Sequence, residues 1–321
     1  MRRSDRRRRS TVPSAAPPFT LTQLRYFVRV AELGSMTAAS EDLYVAQSAV
    51  SSAVHQLENS LGATLFIRQR SRGVHLTEQG GAFLTAALQV LASADDAVSC
   101  LRPDHLSGPL DVGCFTTLAP FWLPGILEEI QRTCPDVECT IHEVTATEIE
   151  TRLNQRELDA VFTYAFDYGR GIDVDVLAEA PVYAAVAENS PLAARSAVTL
   201  AELADQPLIL LDMDKSTNYF LSLFRDAGLR PRIHQRFGSV EVVRSMVARG
   251  HGYTILNQRP AHSLTNDGLS LVALPVTGVR SHLLMGVAHR SGEKLNRKAQ
   301  AFADACRAVL LPEEGPSVSD M

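Results

Sequence analysis

The stretch Gly34-Ser35-Met36-Thr37-Ala38-Ala39, followed by Ala46-Gln47-Ser48-Ala49-Val50-Ser51, decides how the N-terminal part of this chain folds. Gly34 stops a helix whose apolar stripe, Leu24, Phe27, Val28, Ala31 and Leu33, falls at spacings of three and four. Ser35 is a side-chain cap for a short second helix through Leu43. After the turn Tyr44-Val45-Ala46 a third helix starts at Gln47 and runs to about Ser60. Leu65-Phe66 and Val74-His75-Leu76 read as two short strands around the basic turn Arg68-Gln69-Arg70-Ser71-Arg72-Gly73. Residues 19–76 thus have a winged helix-turn-helix layout, with the helix-turn-helix at about 36–55.

Upstream, residues 1–18 combine an Arg cluster with Pro13 and Pro17-Pro18 and read as a disordered basic tail, or as an accessory start ahead of Val12. Downstream, Thr77-Glu78 opens a long linker helix (77–107) with an apolar seam at Leu84, Leu88, Leu91, Ala94, Val98 and Leu101. Such a seam pairs with its own copy or packs on its own DNA-binding domain; the first is the expectation. Pro103 and Gly108-Pro109 end it. From 108 to 311 strand-like and helical runs alternate, which predicts α/β structure with largely parallel sheets, and 312–321 read as a flexible tail. The whole is an α+β multidomain chain.

The 321 residues suffice for two or three domains, and 45% hydrophobic with 21% charged residues excludes a wholly disordered or fibrous chain. No apolar run approaches membrane-spanning length, and the Arg-rich start has no apolar core behind it, so a cytoplasmic, nucleoid-associated address is expected. Five scattered cysteines (Cys100, Cys114, Cys134, Cys139, Cys306) spell neither a disulfide framework nor a zinc site. The net charge of −5 would argue against a nucleic-acid partner, but it is segregated: residues 1–18 carry +5, 19–76 carry +1, 77–107 carry −3 and 108–321 carry −8. Serine-hydrolase, phosphate-loop and zinc-protease motifs are missing, so an enzyme, a cofactor and a metal site are not expected.

With Leu24-Arg25-Tyr26-Phe27-Val28, Gln56-Leu57-Glu58, Leu61-Gly62, Leu65-Phe66, Arg68 and Leu76-Thr77-Glu78-Gln79-Gly80 added to the opening stretch, residues 19–80 resemble the DNA-binding end of a LysR-type transcriptional regulator. The likeness continues to about residue 311 through Pro135-Asp136-Val137, Leu158-Asp159-Ala160, Pro207-Leu208-Ile209 and Val247-Ala248-Arg249-Gly250-His251-Gly252. It implies a two-lobed effector domain of periplasmic-binding-protein type 2 over 108–311, with lobe I at 108–181 and 282–311 and lobe II at 182–281. The crossovers would fall near Ala180–Tyr183 and Arg280–Leu284. It also implies a homodimer through the linker helix, a homotetramer, promoter double-stranded DNA, a small-molecule effector and RNA polymerase as partners.

A recognition helix reads base edges from its first turns, which makes Gln47, Ser48, Ser51, Ser52 and His55 the exposed candidates and turns Ala49, Val50, Ala53, Val54 and Leu57 to the core. By resemblance Gln47 and Ser51 match the family, Ser48 replaces a common proline, and Ser52 replaces a usual Arg or Lys. Arg68, Arg70 and Arg72 on the wing and Thr37 at the second helix suit phosphate. In the C-terminal part three helix N-termini carry hydroxyls: Thr116-Thr117 ahead of Pro120, Ser216-Thr217-Asn218 ahead of Tyr219, and Ser239 ahead of Val240. Converging on a cleft, they would favour an anionic or otherwise acceptor-rich effector, with Ala146, Thr147, Tyr164 and Asn257 as pocket walls. A constitutive or redox-responsive regulator without a small-molecule effector is the alternative.

Overall fold

The computed structural model describes residues 17–69, 73–99, 106–279 and 282–311. The Arg-rich start before residue 17, Arg70, Arg72, Cys100, Leu101 and the last ten residues lie outside them. Two compact units, 1–101 and 102–321, make up the chain.

In the first unit, α1 (Leu21–Leu33) is capped by Thr20, which accepts from the Gln23 N–H, and it ends on Gly34 at φ 60°, whose N–H returns to the Val30 carbonyl. Gly34 also accepts from the Val74 N–H, and a Cβ on Gly73 (φ 81°) would stand 2.6 Å from the Gly34 oxygen. Bare backbone at both glycines therefore ties the wing to the end of α1. Helices α2 (Met36–Asp42) and α3 (Gln47–Leu61) pack on α1, and β1 (Phe66–Gln69) pairs antiparallel with β2 (Gly73–Leu76). The core closes around Leu24, Phe27, Val50, Val54, Leu57 and Leu65, all but free of solvent.

The Glu58 carboxylate accepts from the backbone N–H groups of Leu65 (2.8 Å) and Phe66 (3.1 Å), so the end of α3 fixes the start of the wing. In helix α4 (Glu78–Ser99) the first part of the seam, Leu84, Leu88 and Leu91, packs with Phe83 against this unit's own core, and Ala87 is buried in it. Phe83, next to the seam, lies 5.3 Å from the Phe27 ring, an aromatic contact between α4 and α1.

The second unit has two hydrophobic clusters. In the first lobe a five-stranded sheet runs in the order β4 (Asp136–Val144), β3 (Ser107–Phe115), β5 (Ala160–Tyr164), β13 (Leu283–Arg290), β6 (Ile172–Ala180). Helices α5 (Ala119–Thr133), α6 (Ala146–Asn154) and α10 (Arg297–Leu310) belong to it. The second lobe holds β7 (Tyr183–Ala187), β8 (Val198–Thr199), α7 (Leu200–Ala204), β9 (Pro207–Leu211), α8 (Asp214–Asp226), β10 (Arg232–Phe237), α9 (Val240–Ala248), β11 (Thr254–Leu256) and β12 (Leu271–Thr277). Its sheets run β11-β7-β12-β8 and β10-β9, joined by a parallel bridge between Leu208 and Tyr253.

The chain crosses between lobes from β6 to β7 and from β12 to β13. That second crossing makes the sheets mixed instead of largely parallel. Strand β13 returns from the second lobe and inserts antiparallel between β5 and β6, while β7 is antiparallel to both β11 and β12. Gly108-Pro109 does not close the linker helix but lies within β3, in a stretch that pairs with β4 ahead of the β5 register, where a missing N–H is tolerated.

Candidate DNA interface and effector cleft

On the first unit, Gln47, Ser48, Ser52 and His55 are exposed and Ser51 is half-buried; Ser48, Ser51, Ser52 and His55 fall at the i, i+3, i+4, i+7 spacing of one helical stripe. Val50, Val54 and Leu57 are buried opposite them. Ala49 corrects the expectation: it is exposed, because it lies in the first turn, ahead of the stretch that α1 and α2 cover. No side chain caps α3 at Ala46, and the Ala46 carbonyl accepts from the Ala49 and Val50 N–H groups, so the helix start at Gln47 and Ser48 faces out without a capping side chain. Thr37 is exposed on the first turn of α2. Arg68 lies on β1; its side chain, with Arg70 and Arg72, is outside the described residues.

Sequence reasoning passed over Tyr44. Its backbone is left-handed (φ 54°), in the turn between α2 and α3, and its ring is 95% exposed. A large aromatic held out into solvent in the turn ahead of α3 is unusual for a side chain with only a packing role. The signal was available in the Leu43-Tyr44-Val45 turn, where the apolar neighbours go inward and the tyrosine does not. Nearby, Arg29 holds Asp42 through paired bonds of 2.6 and 2.5 Å and Glu32 through one of 2.8 Å, tying α1 to α2 and lowering the Asp42 carboxyl from its ordinary range.

In the second unit a cavity of about 30 Å³ opens between the lobes. Its polar wall is Thr117, Tyr164, Ser216, Asn257 and Gln258. Phe121, Leu211, Phe220, Val240, Leu256 and Leu283 supply the rest, all positions that a sequence reads as core. Four sequence candidates therefore meet here: Thr117, Tyr164, Ser216 and Asn257. The others serve local structure or lie apart from the lining. The Thr116 hydroxyl donates to the Val144 carbonyl, and Thr217 accepts from the Met213 N–H while donating to the Leu211 carbonyl and Asp212. Ser239 caps α9, Ala146 is buried in the first lobe's core, and Thr147 and Asn218 are exposed. Helix α8 begins at Asp214, not at Tyr219, so Ser216-Thr217-Asn218 form its first turn instead of preceding it.

The two lobes touch around this cavity. The Trp122 indole N–H, from α5, donates to Gln258 Oε1 at 2.9 Å, and Gln258 Nε2 lies 3.4 Å from the Met285 sulfur. Asn257 donates to the Ala180 carbonyl at the first crossover (2.7 Å). At one side Lys215 of α8 reaches Glu150 of α6 at 2.6 Å, bonds the Asp167 carbonyl, and lies 4.8 Å over the Tyr168 ring. Burial pushes the Tyr164 hydroxyl up to about 12, against the pull of the neighbouring Thr117 and Gln258, so it enters any ligand contact as a neutral group. Burial likewise pushes the Cys114 thiol up to about 12 and Cys139 to about 11, and holds Cys306 well above its ordinary value.

A helix-turn-helix head with a wing, followed by a two-lobed domain with a cleft, is the build of a DNA-binding transcriptional regulator. Family models place it: residues 21–81 match the bacterial regulatory helix-turn-helix protein of the lysR family, and residues 103–311 match the LysR substrate binding domain. The chain belongs to the LysR family of DNA-binding transcriptional regulators. It is 30% identical over 260 residues to an uncharacterized HTH-type transcriptional regulator, YvbU, of Bacillus subtilis, covering 77% of this chain and 87% of that one. It is 28% identical over 297 residues to OxyR, a DNA-binding transcriptional dual regulator of Escherichia coli, with 90% and 95% covered. Among solved structures, HinK, a LysR family regulator from Pseudomonas aeruginosa, superposes with a TM-score of 0.62 at 34% identity, over 91% of this chain and 99% of that one. Among the described residues no helix is long and apolar enough to cross a membrane.

Proposed function

We propose that this regulator reads promoter DNA with Gln47, Ser48, Ser51, Ser52 and His55, supported on phosphate by Thr37, Tyr44, Arg68, Arg70 and Arg72, and that a small-molecule effector in the interlobe cavity resets how it holds that DNA. The observation that carries the first half is the single exposed polar stripe on α3 behind an uncapped helix start. Helix α3 contains neither Lys nor Arg, so base contacts are made by neutral donors and acceptors, and phosphate affinity falls to the wing and tail. The second half rests on Trp122 and Gln258 bridging the lobes beside a cavity. An effector that favours one lobe arrangement shifts the equilibrium by its differential affinity and no more. The setting is cytoplasmic, with the domains at 19–76, 77–107 and 108–311. Pairing of two copies uses the face of α4 opposite its packed seam, where Ala82, Ala86, Val90 and Ala97 are exposed. A homotetramer and contact with RNA polymerase complete the assembly.

The test is a footprint of the full chain on its own upstream region at moderate salt. A protected site is expected, with Gln47→Ala and Ser51→Ala each weakening it about 10-fold or more while non-specific binding stays unchanged; the absence of any sequence preference would sink the reading. Relatives described as hydrogen peroxide-inducible genes activators favour a second reading, a redox-responsive regulator, which in this chain would act through its cysteines. The buried Cys114 and Cys306 thiols and the half-buried Cys139 thiol, all raised above their ordinary value, oppose it, and among the described residues no cysteine lines the cavity.

A further inference from the structure

We infer that the effector is an uncharged, largely apolar small molecule carrying one hydroxyl or carbonyl group, and that this group hydrogen-bonds Ser216. The inference deepens the proposed cleft function and rests on it. Among the described residues no Lys, Arg, His, Asp or Glu lines the cavity; its walls are aromatic rings, aliphatic chains, hydroxyls and side-chain amides. The nearest candidate cation by sequence, Lys215, is already engaged by Glu150, the Asp167 carbonyl and the Tyr168 ring. A carboxylate or phosphate placed against Phe121, Phe220 and Leu256 would lose its hydration with no counter-charge to replace it. The helix N-termini that suggested an anion are spoken for in part: Thr217, Thr116 and Ser239 bond their own backbones.

The polar wall is mostly satisfied from within, since Gln258 holds Trp122 and Asn257 holds the Ala180 carbonyl. Ser216 is different. It is 4% exposed and lines the cavity, yet its hydroxyl has no hydrogen bond among the described residues. The Oγ atom is not itself sealed from solvent and is open to the cavity, so water satisfies it until a ligand group takes that place. One such group in an otherwise apolar and self-bonded pocket specifies one polar function on the ligand. At about 30 Å³ the cavity has room for about two or three water molecules. A larger ligand therefore enters by parting the lobes, which breaks the Trp122–Gln258 bond.

Trp122 is the chain's one tryptophan, so its fluorescence reports occupancy directly. The full chain is titrated at pH 7.5 with benzyl alcohol and cyclohexanone, and in parallel with benzoate, phenyl phosphate and benzylamine. The uncharged probes should change the Trp122 signal saturably and bind at least 10-fold tighter than the charged ones. Ser216→Ala should weaken them about 10-fold without moving the urea midpoint downward, because the hydroxyl it removes has no protein partner. Benzoate or phenyl phosphate binding as tightly as the alcohol overturns the uncharged class and leaves the cleft reading standing. Silence of Trp122 toward all five probes overturns both, and unchanged alcohol and ketone affinity in Ser216→Ala overturns the assignment of Ser216.

Discussion

Replacing Glu58 by alanine strips two hydrogen bonds from the start of the wing. The carboxylate accepts from the Leu65 N–H at 2.8 Å and the Phe66 N–H at 3.1 Å, and both of those residues are buried. A hydrogen bond to a charged group contributes about 1.5–3 kcal/mol, and the half-buried setting of Glu58 favours the lower end, so the pair amounts to about 3 kcal/mol. Glu58→Gln keeps one neutral acceptor oxygen and should lose about half of that. Amide hydrogen exchange of the full chain resolves the effect locally: at 1.36 kcal/mol per decade, protection of Leu65 and Phe66 should fall about 100-fold in the alanine variant and about 10-fold in the glutamine variant. Amides in the middle of α1 should change much less. Unchanged protection at Leu65 and Phe66 in Glu58→Ala would refute the reasoning, because burial alone would then be shielding those amides.

A Cβ at Gly80 would stand 2.1 Å from the Leu65 carbonyl oxygen, so Gly80→Ala should push α4 off the domain and cost about 2 kcal/mol or more, read as a lower melting temperature of the N-terminal unit. Ser52→Arg places a cation on the exposed stripe and should steepen the salt dependence of DNA binding by about one unit in the log–log slope; an unchanged slope would put Ser52 away from phosphate. The Cys114 thiol is raised in the folded state from near 9 to about 12, so its contribution is whole below pH 9 and lost as pH rises from 9 toward 12, up to about 4 kcal/mol. Wild type should therefore lose urea resistance above pH 9 faster than Cys114→Ala does, and parallel curves would refute that origin.

The helix-turn-helix was legible because each of its boundaries is written in local chemistry: Gly34 must take a left-handed backbone, Ser35 caps, and Val50, Val54 and Leu57 recur at helical spacing. Strand β10 was not legible, because its residues face mostly solvent and only Ile233 and Phe237 are half-buried, so no alternation marks it. Strand β6 is an edge strand that pairs with β13 alone, and its pattern is similarly diluted. The start of α8 was misplaced because Thr217 bonds the Met213 N–H and Leu211 carbonyl, a capping device that reads in sequence as loop polarity. In the cleft, hydroxyls and amides stood out at Thr117, Tyr164, Ser216 and Asn257, whereas Phe121, Leu211 and Phe220 carry the periodicity of core residues and became walls only through the meeting of two lobes. The same convergence underlies the inference of an uncharged ligand, since charge must be absent from every contributing element for the cavity to be neutral.

Under the proposed cleft function, the contacts across the cleft set how strongly an effector must discriminate in order to act. Trp122 to Gln258 is a bond between neutral groups, worth about 1 kcal/mol net. Lys215 with Glu150 is an ion pair whose side chains remain 29% and 39% exposed, worth about 0–1 kcal/mol after screening. Together they bias the closed arrangement by about 1–2 kcal/mol, a population ratio of about 5–30. A ligand that binds the open arrangement about 100-fold more tightly than the closed one inverts that ratio at saturation. Removing the bridge therefore should partly mimic the ligand: with Gln258→Ala, the chain begins closer to the open arrangement, and an effector retains its affinity for the open form while having less closed population left to convert. The size of the DNA-binding response would shrink even as apparent ligand affinity rises, a pairing of opposite changes that simple loss of a ligand contact does not produce.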